Sequence, residues 1–385
     1  MRLTRPLRIV AARTVVPDTV ETVTEAVARG ALAAEDVSAT GYRQLPVSET
    51  EAAPELAVRA AAACLAAAGL DAGAVDLLVH AWTYHQGHDF WSPAHYVAHG
   101  LGALRATALG IQQMCNGGAA ALETAAAWLQ ADPRLHTAVV TTADRFCAPG
   151  FDRWRGDYGL WYGDGATAAL LRSTLPGEAG RADWTDEGSL DLLALRSTTA
   201  AELETMHRGR DGFSRAPHAH GGTVDVRRTK KAFLEANGKE SFARTVRLRV
   251  PELIRSSTAE AGIAADDPGL RCVVLPRIGR TALESAYVPA VALATGAPAL
   301  DLGGLTGHLG AGDMLAGFAA LVDQKLIAPG ETALVLSAGG GFTWSCAVVR
   351  RPAPASPAPA GTARQARPRQ ARPPQARTER QACEH

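Results

Sequence analysis

Short, nearly continuous apolar runs alternate with longer Ala- and Leu-rich stretches along most of this chain. AVDLLVHAW (74–82) and HTAVVTTAD (136–144) read as buried strands, and ATALGIQQ (106–113) and GATAALLRS (165–173) as two more. ELAVRAAAACLAAAGL (55–70) and GAAALETAAAWLQAD (118–132) read as helices between them, and the opening MRLTRPLRIVAARTVVPD as a first strand. The rhythm then repeats. Residues 230–263 are largely helical, CVVLPR (272–277) is a strand and YVPAVALATG (287–296) a short apolar run. GHLGAGDMLAGFAALVDQKLI (307–327) is a loop and helix, and ETALVLSAGGGFTWSCAVVRR (331–351) is two strands around a triple glycine. Strand–helix alternation in both halves predicts parallel-rich sheets covered by helices, an α/β architecture built twice. The expected division is 1–173 and 230–350 for the two halves, 174–229 as a connecting and capping segment of mixed charge, and 351–385 as a tail.

Composition narrows the function classes. The 385 residues are 47% hydrophobic, enough for a substantial core. Apolar stretches are broken well short of the roughly 18–20 residues of a membrane span, and no signal-peptide core opens the chain, so a cytoplasmic location is expected. Six scattered Cys without a CxxC suggest reduced thiols and no zinc site. Seven Arg and two Glu fall in 351–385, about +5, leaving the body about −5 in a chain of zero net charge. That excludes the body as a nucleic-acid surface. The tail, Pro-rich and then repeating QAR, has nothing to bury and reads as disordered.

Four stretches can carry chemistry. In QQMCNGGAAALETAA, Cys115 stands between a strand and a helix whose first turn is glycine. It is either a nucleophile raised on a sharp turn, where helix amides favour thiolate, or a small buried hydrophobe. In GHLGAGD, His308 is flanked by glycines and is either a catalytic imidazole or a turn residue. Asp313 either orients that imidazole through its second nitrogen or stabilises a helix N-terminus. GGG at 339–341 permits a backbone N–H to face a carbonyl oxygen, or merely close packing. In YGDGA (162–166), Asp164 reads as structural. HAWTYHQGHDFWSPAHY (80–96) holds four His and five aromatics. Trp82, Tyr84, Phe90 and Trp91 either line a pocket for an aromatic or bulky acyl group or form a dimer contact. No carboxylate or Cys cluster accompanies these His residues, so no metal is expected. RRTKK (227–231) reads as solvated surface or as a contact for an acidic carrier.

Taken together, GGGFTWSCAVVR (339–350), WYGDGATAALL (161–171) and the Cys115 elbow occur in the order found in the thiolase superfamily. The chain resembles ketoacyl-ACP synthase III and its acyltransferase-like relatives in natural-product (polyketide) biosynthesis, from about residue 5 to 350. The resemblance implies a thiolase fold, two α/β halves in a five-layered α-β-α-β-α arrangement, and a homodimer. It implies an oxyanion site at the Cys115 and Gly340 amides. It also implies an acyl carrier protein or acyl-CoA as the partner, the phosphopantetheine thioester being substrate and no cofactor being required.

Two departures from the family pattern matter. Where type III synthases place His in Pro-His-Gln-Ala-Asn, this chain reads LPRIGR, with Arg277 at the His position. Where they place Asn in Gly-Asn-Thr-Ser, it reads GHLGAGD, with His308 at the Asn position. Cys115 can still be acylated with His308 as its base. The two neutral donors that hold an enolate are gone, leaving Arg277 to bind substrate, to support an enolate as a cation, or to turn outward. The expected activity is acyl transfer through Cys115 to a hydroxyl, amine or carrier thiol of a small-molecule or carrier acceptor, with His308 as base and without condensation. The alternatives are decarboxylative condensation with malonyl-ACP and a non-catalytic synthase partner.

Overall fold

The computed structural model describes residues 2–173, 188–216, 220–238, 240–264 and 266–353. The tail expected to be disordered lies, beyond Ala353, outside the described residues, as does 174–187 of the connecting segment. Ten strands are β1 (Arg2–Val15), β2 (Leu77–Ala81), β3 (Thr107–Ile111), β4 (Thr137–Asp144), β5 (Gly165–Ser173), β6 (Leu190–Thr199), β7 (Leu270–Val274), β8 (Ala299–Leu300), β9 (Thr332–Gly339) and β10 (Thr343–Arg350). They pair in the order β8-β7-β9-β10-β6-β1-β5-β4-β2-β3. β3, β2 and β4 are mutually parallel, as are β8, β7 and β9, whereas β5, β1, β6 and β10 pair antiparallel with their neighbours. Each half thus repeats one pattern, and β6 against β1 joins the two.

Five layers follow from what each sheet face buries. The helices α1 (Ala53–Ala68) and α2 (Pro93–Leu101) cover one face of the first half. α5 (Ser241–Glu260) and the short Val288–Ala292 helix cover one face of the second. α3 (Gly117–Ala131) and α6 (Asp313–Asp323) share a single core cluster with β1, β2, β4 and β5 from one half and β6, β7, β9 and β10 from the other. These two helices therefore form the central layer. Their sequences explain the placement. Ala recurs along α3, and α6 is buried from Asp313 through Leu321, so both suit a helix packed on two sides.

The segment 174–229 is not a connector throughout. Leu190–Thr199 is a ten-residue strand at the heart of the sheet, and Val226–Asn237 is a helix, α4. Asp191 and Arg196 obscure the strand's apolar pattern. Asp191 accepts from Arg8 Nε on the neighbouring strand at 2.8 Å, and Arg196 reaches Glu260 at 2.7 Å, so charge at these positions is paired across the sheet and its flank. No helix among the described residues is long and apolar enough to cross a membrane.

Candidate active site

Both functional loops lie where the central helices begin. After β3 the backbone turns sharply at Met114, whose φ of 48° is uncommon for a residue with a side chain, and α3 starts at Gly117. Cys115, 7% exposed, sits in that turn at the start of α3. A Cβ on Gly118 would lie 2.4 Å from the Ala311 carbonyl oxygen. Glycine at 118 thus lets the nucleophile helix touch the loop that carries His308.

That loop is built around the imidazole. Gly307 and Gly310 take φ of 63° and 58°, and side chains there would strike Leu45 and the Asp144 carboxylate respectively. The His308 amide donates to the Trp161 carbonyl at 2.9 Å. Its Nδ1 is 2.8 Å from Asp313 Oδ2, and its buried Nε2 has no hydrogen-bond partner among the described residues. Asp313 is satisfied from three directions: Oδ2 also accepts from the Arg277 amide at 2.8 Å, and Oδ1 from the Leu309 amide at 3.0 Å. Asp313 is the first residue of α6, and its carboxylate is bonded to the imidazole. Burial favours neutral imidazole, but Asp313 and Cys115 outweigh it and the His308 pKa stands well above its ordinary value. Burial likewise opposes the Asp313 carboxylate, and the adjacent His308 more than compensates, drawing its pKa down. Cys115 is among the groups that raise the His308 pKa, so the thiol and the imidazole are electrostatic neighbours. The arrangement is a Cys–His–Asp relay able to take up and return a thiol proton.

Cys115 opens onto a cavity of about 410 Å³. Its wall is strongly apolar, with Phe146, Phe151, Tyr158, Phe242, Tyr287 and Phe342 among its residues, and Gly340 borders it beside Cys115. Of the four aromatics singled out in 80–96, Tyr84 alone lines this cavity. Trp82 stacks on buried His80, Phe90 is fully exposed, and Trp91 packs against His88 and Tyr96 at the surface. Arg277, 4% exposed, does not line it either. Its Nη1 donates to the Asp313 carbonyl at 2.8 Å, and its own carbonyl accepts from the Tyr42 hydroxyl at 2.9 Å. The guanidinium is folded behind the relay rather than presented to the sulfur. Among the described residues there is no cluster of His, Cys, Asp and Glu that could hold a metal.

Several polar groups at the cavity were not singled out from sequence. Asp157 accepts from the Tyr162 hydroxyl at 2.6 Å and pairs with Lys230 at 2.5 Å. Lys230 comes from the basic run 227–231 and is 9% exposed, so one lysine of that run faces inward while Arg228 pairs with Asp211 at the surface. The amphipathic pattern of α4 could have revealed it, since Thr229, Lys230 and Phe233 share its buried face. His207 also lines the cavity, from the short Thr205–Arg208 helix, and no motif marks it. Asp164 is structural, accepting from the Ser48 and Phe146 amides and pairing with buried Arg153.

Comparison with known proteins now bears on this geometry. The family described as 3-oxoacyl-[acyl-carrier-protein] synthase III matches residues 109–188, and its C-terminal part residues 259–351. The β-ketoacyl-[acyl-carrier-protein] synthase III of Rhodospirillum rubrum is 30% identical over 309 residues, covering 79% of this chain and 86% of that protein. The chain belongs to the 3-oxoacyl-ACP synthase III family. It is therefore a thiolase-fold, acyl-transferring enzyme, and relatives of this kind act on acyl-ACP or acyl-CoA. Among solved structures, the acyltransferase ChlB3 superposes with a TM-score of 0.79 at 33% identity, over 91% of this chain and 99% of that one. The priming β-ketosynthase of the R1128 polyketide pathway superposes with a TM-score of 0.70 at 18% identity, over 92% and 98%, and shows the shared fold.

Proposed function

We propose that this enzyme carries an acyl group from a CoA or carrier-protein thioester, through an acyl-Cys115 intermediate, to a heteroatom acceptor in secondary metabolism, without forming a carbon–carbon bond. In the first half-reaction the Cys115 thiol proton passes to His308 Nε2, and the sulfur attacks the thioester carbonyl carbon. The oxyanion forms between the Cys115 and Gly340 amides, a type of donor worth roughly 2.7–4 kcal/mol of barrier. The carbon–sulfur bond to the donor then breaks, and the departing thiol leaves with the imidazolium proton. In the second half-reaction an acceptor O–H, N–H or S–H attacks the acyl carbon, passes its proton to an imidazole at the cavity as the new bond forms, and expels Cys115 as thiolate. Asp313 fixes the tautomer that keeps Nε2 free for the thiol.

One observation carries the preference for transfer over condensation. Loss of carbon dioxide from a malonyl thioester leaves an enolate, which needs two donors at the cavity. Arg277 occupies the place of one and is bonded behind Asp313, while His308 is committed to the sulfur. The curated relatives named as ketoacyl synthases keep condensation as the competing reading.

The test is intact-protein mass spectrometry of the native chain, Cys115→Ala and His308→Ala after exposure to acyl-CoA and acyl-ACP donors. An acyl mass on the native chain that Cys115→Ala lacks is expected, with acylation slowed in His308→Ala by at least about 100-fold. Equal labelling of Cys115→Ala would overturn the nucleophile assignment.

A further inference from the structure

A second imidazole, that of His207, lines the acyl cavity onto which Cys115 opens. His207 packs directly over Gly340: a Cβ at that glycine would come within 2.7 Å of His207 Cε1 and 2.9 Å of its Nδ1. Gly340 is the residue whose amide would hold the oxyanion, so the ring stands beside the place of the acyl carbonyl. Its Nδ1 is buried with no hydrogen-bond partner among the described residues, and its ring rests against Phe342 with centroids 5.4 Å apart.

His207 also stands at a boundary. Outside the acyl cavity lies a larger basin of about 840 Å³, with His85, Asp89, Ser214 and Thr223 in its wall. Tyr84, His207, Val224 and Val226 line both spaces. Of these four, His207 alone carries a ring nitrogen able to accept a proton. The ring therefore stands in the wall shared by the polar basin and the acyl cavity.

We propose that His207 is the acceptor-side catalytic base, receiving the proton of a hydroxyl or amine acceptor that enters through the outer basin and attacks acyl-Cys115. This rests on the acyl-transfer reading above. The acceptor's O–H or N–H bond breaks towards His207 as the new bond to the acyl carbon forms. The carbon–sulfur bond then breaks, Cys115 leaves as thiolate, the His207 proton passes to water through the basin, and one proton taken back from water restores the Cys115–His308 pair. The charge environment fits the division. Burial, then Lys230, draw the His207 pKa down to about 4 against a smaller opposing effect of Asp157, so the ring is neutral in the resting site and holds the acceptor's proton only transiently. His308, its pKa held up by Asp313 and by Cys115 itself, is the imidazole that regains a proton once the thiolate is restored.

The experiment separates the two half-reactions in the full chain. Acetyl-, benzoyl- and octanoyl-CoA are used to load Cys115, and the acyl mass is followed during discharge to water, glycerol and ethanolamine. His207→Gln is expected to load within about threefold of the native rate and to discharge on the order of 100-fold more slowly. His207→Ala is expected to behave alike, with free imidazole restoring discharge. Native-like discharge in both variants would overturn the assignment alone. So would loading and discharge falling together without imidazole rescue, which marks a residue that only shapes the cavity. Failure of every donor to load native Cys115 would overturn this assignment and the reading beneath it.

Discussion

Replacing Asp313 by Asn tests whether the relay works as a unit, because the change removes one charge and almost no volume. The carboxylate receives three N–H groups: His308 Nδ1–H and the Arg277 amide at Oδ2, and the Leu309 amide at Oδ1. An amide offers one oxygen. If that oxygen faces His308 and Arg277, the NH₂ group opposes the Leu309 amide and a buried donor is left unpaired. If it faces Leu309, the NH₂ group confronts His308 and forces the proton onto Nε2, the nitrogen that must accept from Cys115. Orphaning a buried donor costs about 1–3 kcal/mol of stability. The wrong tautomer costs on the order of 10⁴ in rate in a comparable Ser–His–Asp triad. Rapid-quench mass spectrometry should therefore show Asp313→Asn acylating at least about 100-fold more slowly while retaining native circular dichroism. Stability adds a sign. His308 has a raised pKa in the fold, so its contribution is complete below the unfolded value near 6.5 and fades as pH rises through the higher folded value. Asp313 has a lowered pKa, so its contribution exists above about 3.9 and fades as pH falls through the folded value. The variant's stability deficit should then be greatest between about pH 4 and 6.5 and shrink in alkaline urea titrations. Acylation within threefold of native, or a deficit that grows with alkalinity, would refute the reasoning.

Other outcomes follow from the same geometry. Gly118→Ala forces a Cβ to 2.4 Å from the Ala311 carbonyl, so a melting experiment should show a loss of about 1–3 kcal/mol, with acylation slowed because Cys115 and His308 are pushed apart. Arg153→Met leaves Asp164 buried without its cation and should cost about 3–5 kcal/mol in chemical denaturation. Phe242→Ala enlarges the acyl cavity, and competition between acetyl- and octanoyl-CoA should shift towards the longer chain in the labelled enzyme. Truncation after Ala353 should leave acyl transfer unchanged, since the removed sequence has no apolar surface to contribute to a core.

The two α/β halves and the relay were legible because local signals agreed with the global arrangement. Apolar runs bounded by turns became β2, β4 and β5 with ends shifted by a few residues at most, and the glycines around Cys115 and His308 became close approaches between the central helices. β6 was obscured because Asp191 and Arg196 break its pattern, and only cross-strand partners explain those charges. The aromatic loop 80–96 misled for a related reason: ring content predicts contact surface, not which side of the chain faces the cavity. Phe90 and Trp91 point to the surface, whereas the cavity's rings come from dispersed positions such as Phe146, Phe242 and Phe342 that share no motif. His207 was illegible as a site residue because no motif marks it and it meets Gly340 only in the folded chain, whereas Lys230 was legible only as part of the buried face of α4.

The central claim is that this enzyme transfers acyl groups without condensation. The direct measurement is release of labelled carbon dioxide when enzyme preloaded at Cys115 is given malonyl-ACP labelled at its free carboxyl group, with products weighed by mass spectrometry. An acyl-enzyme that persists or discharges to heteroatom acceptors is expected, with no carbon dioxide above the Cys115→Ala background. Carbon dioxide released in step with a β-ketoacyl-ACP product would contradict it and make Arg277 the support of an enolate.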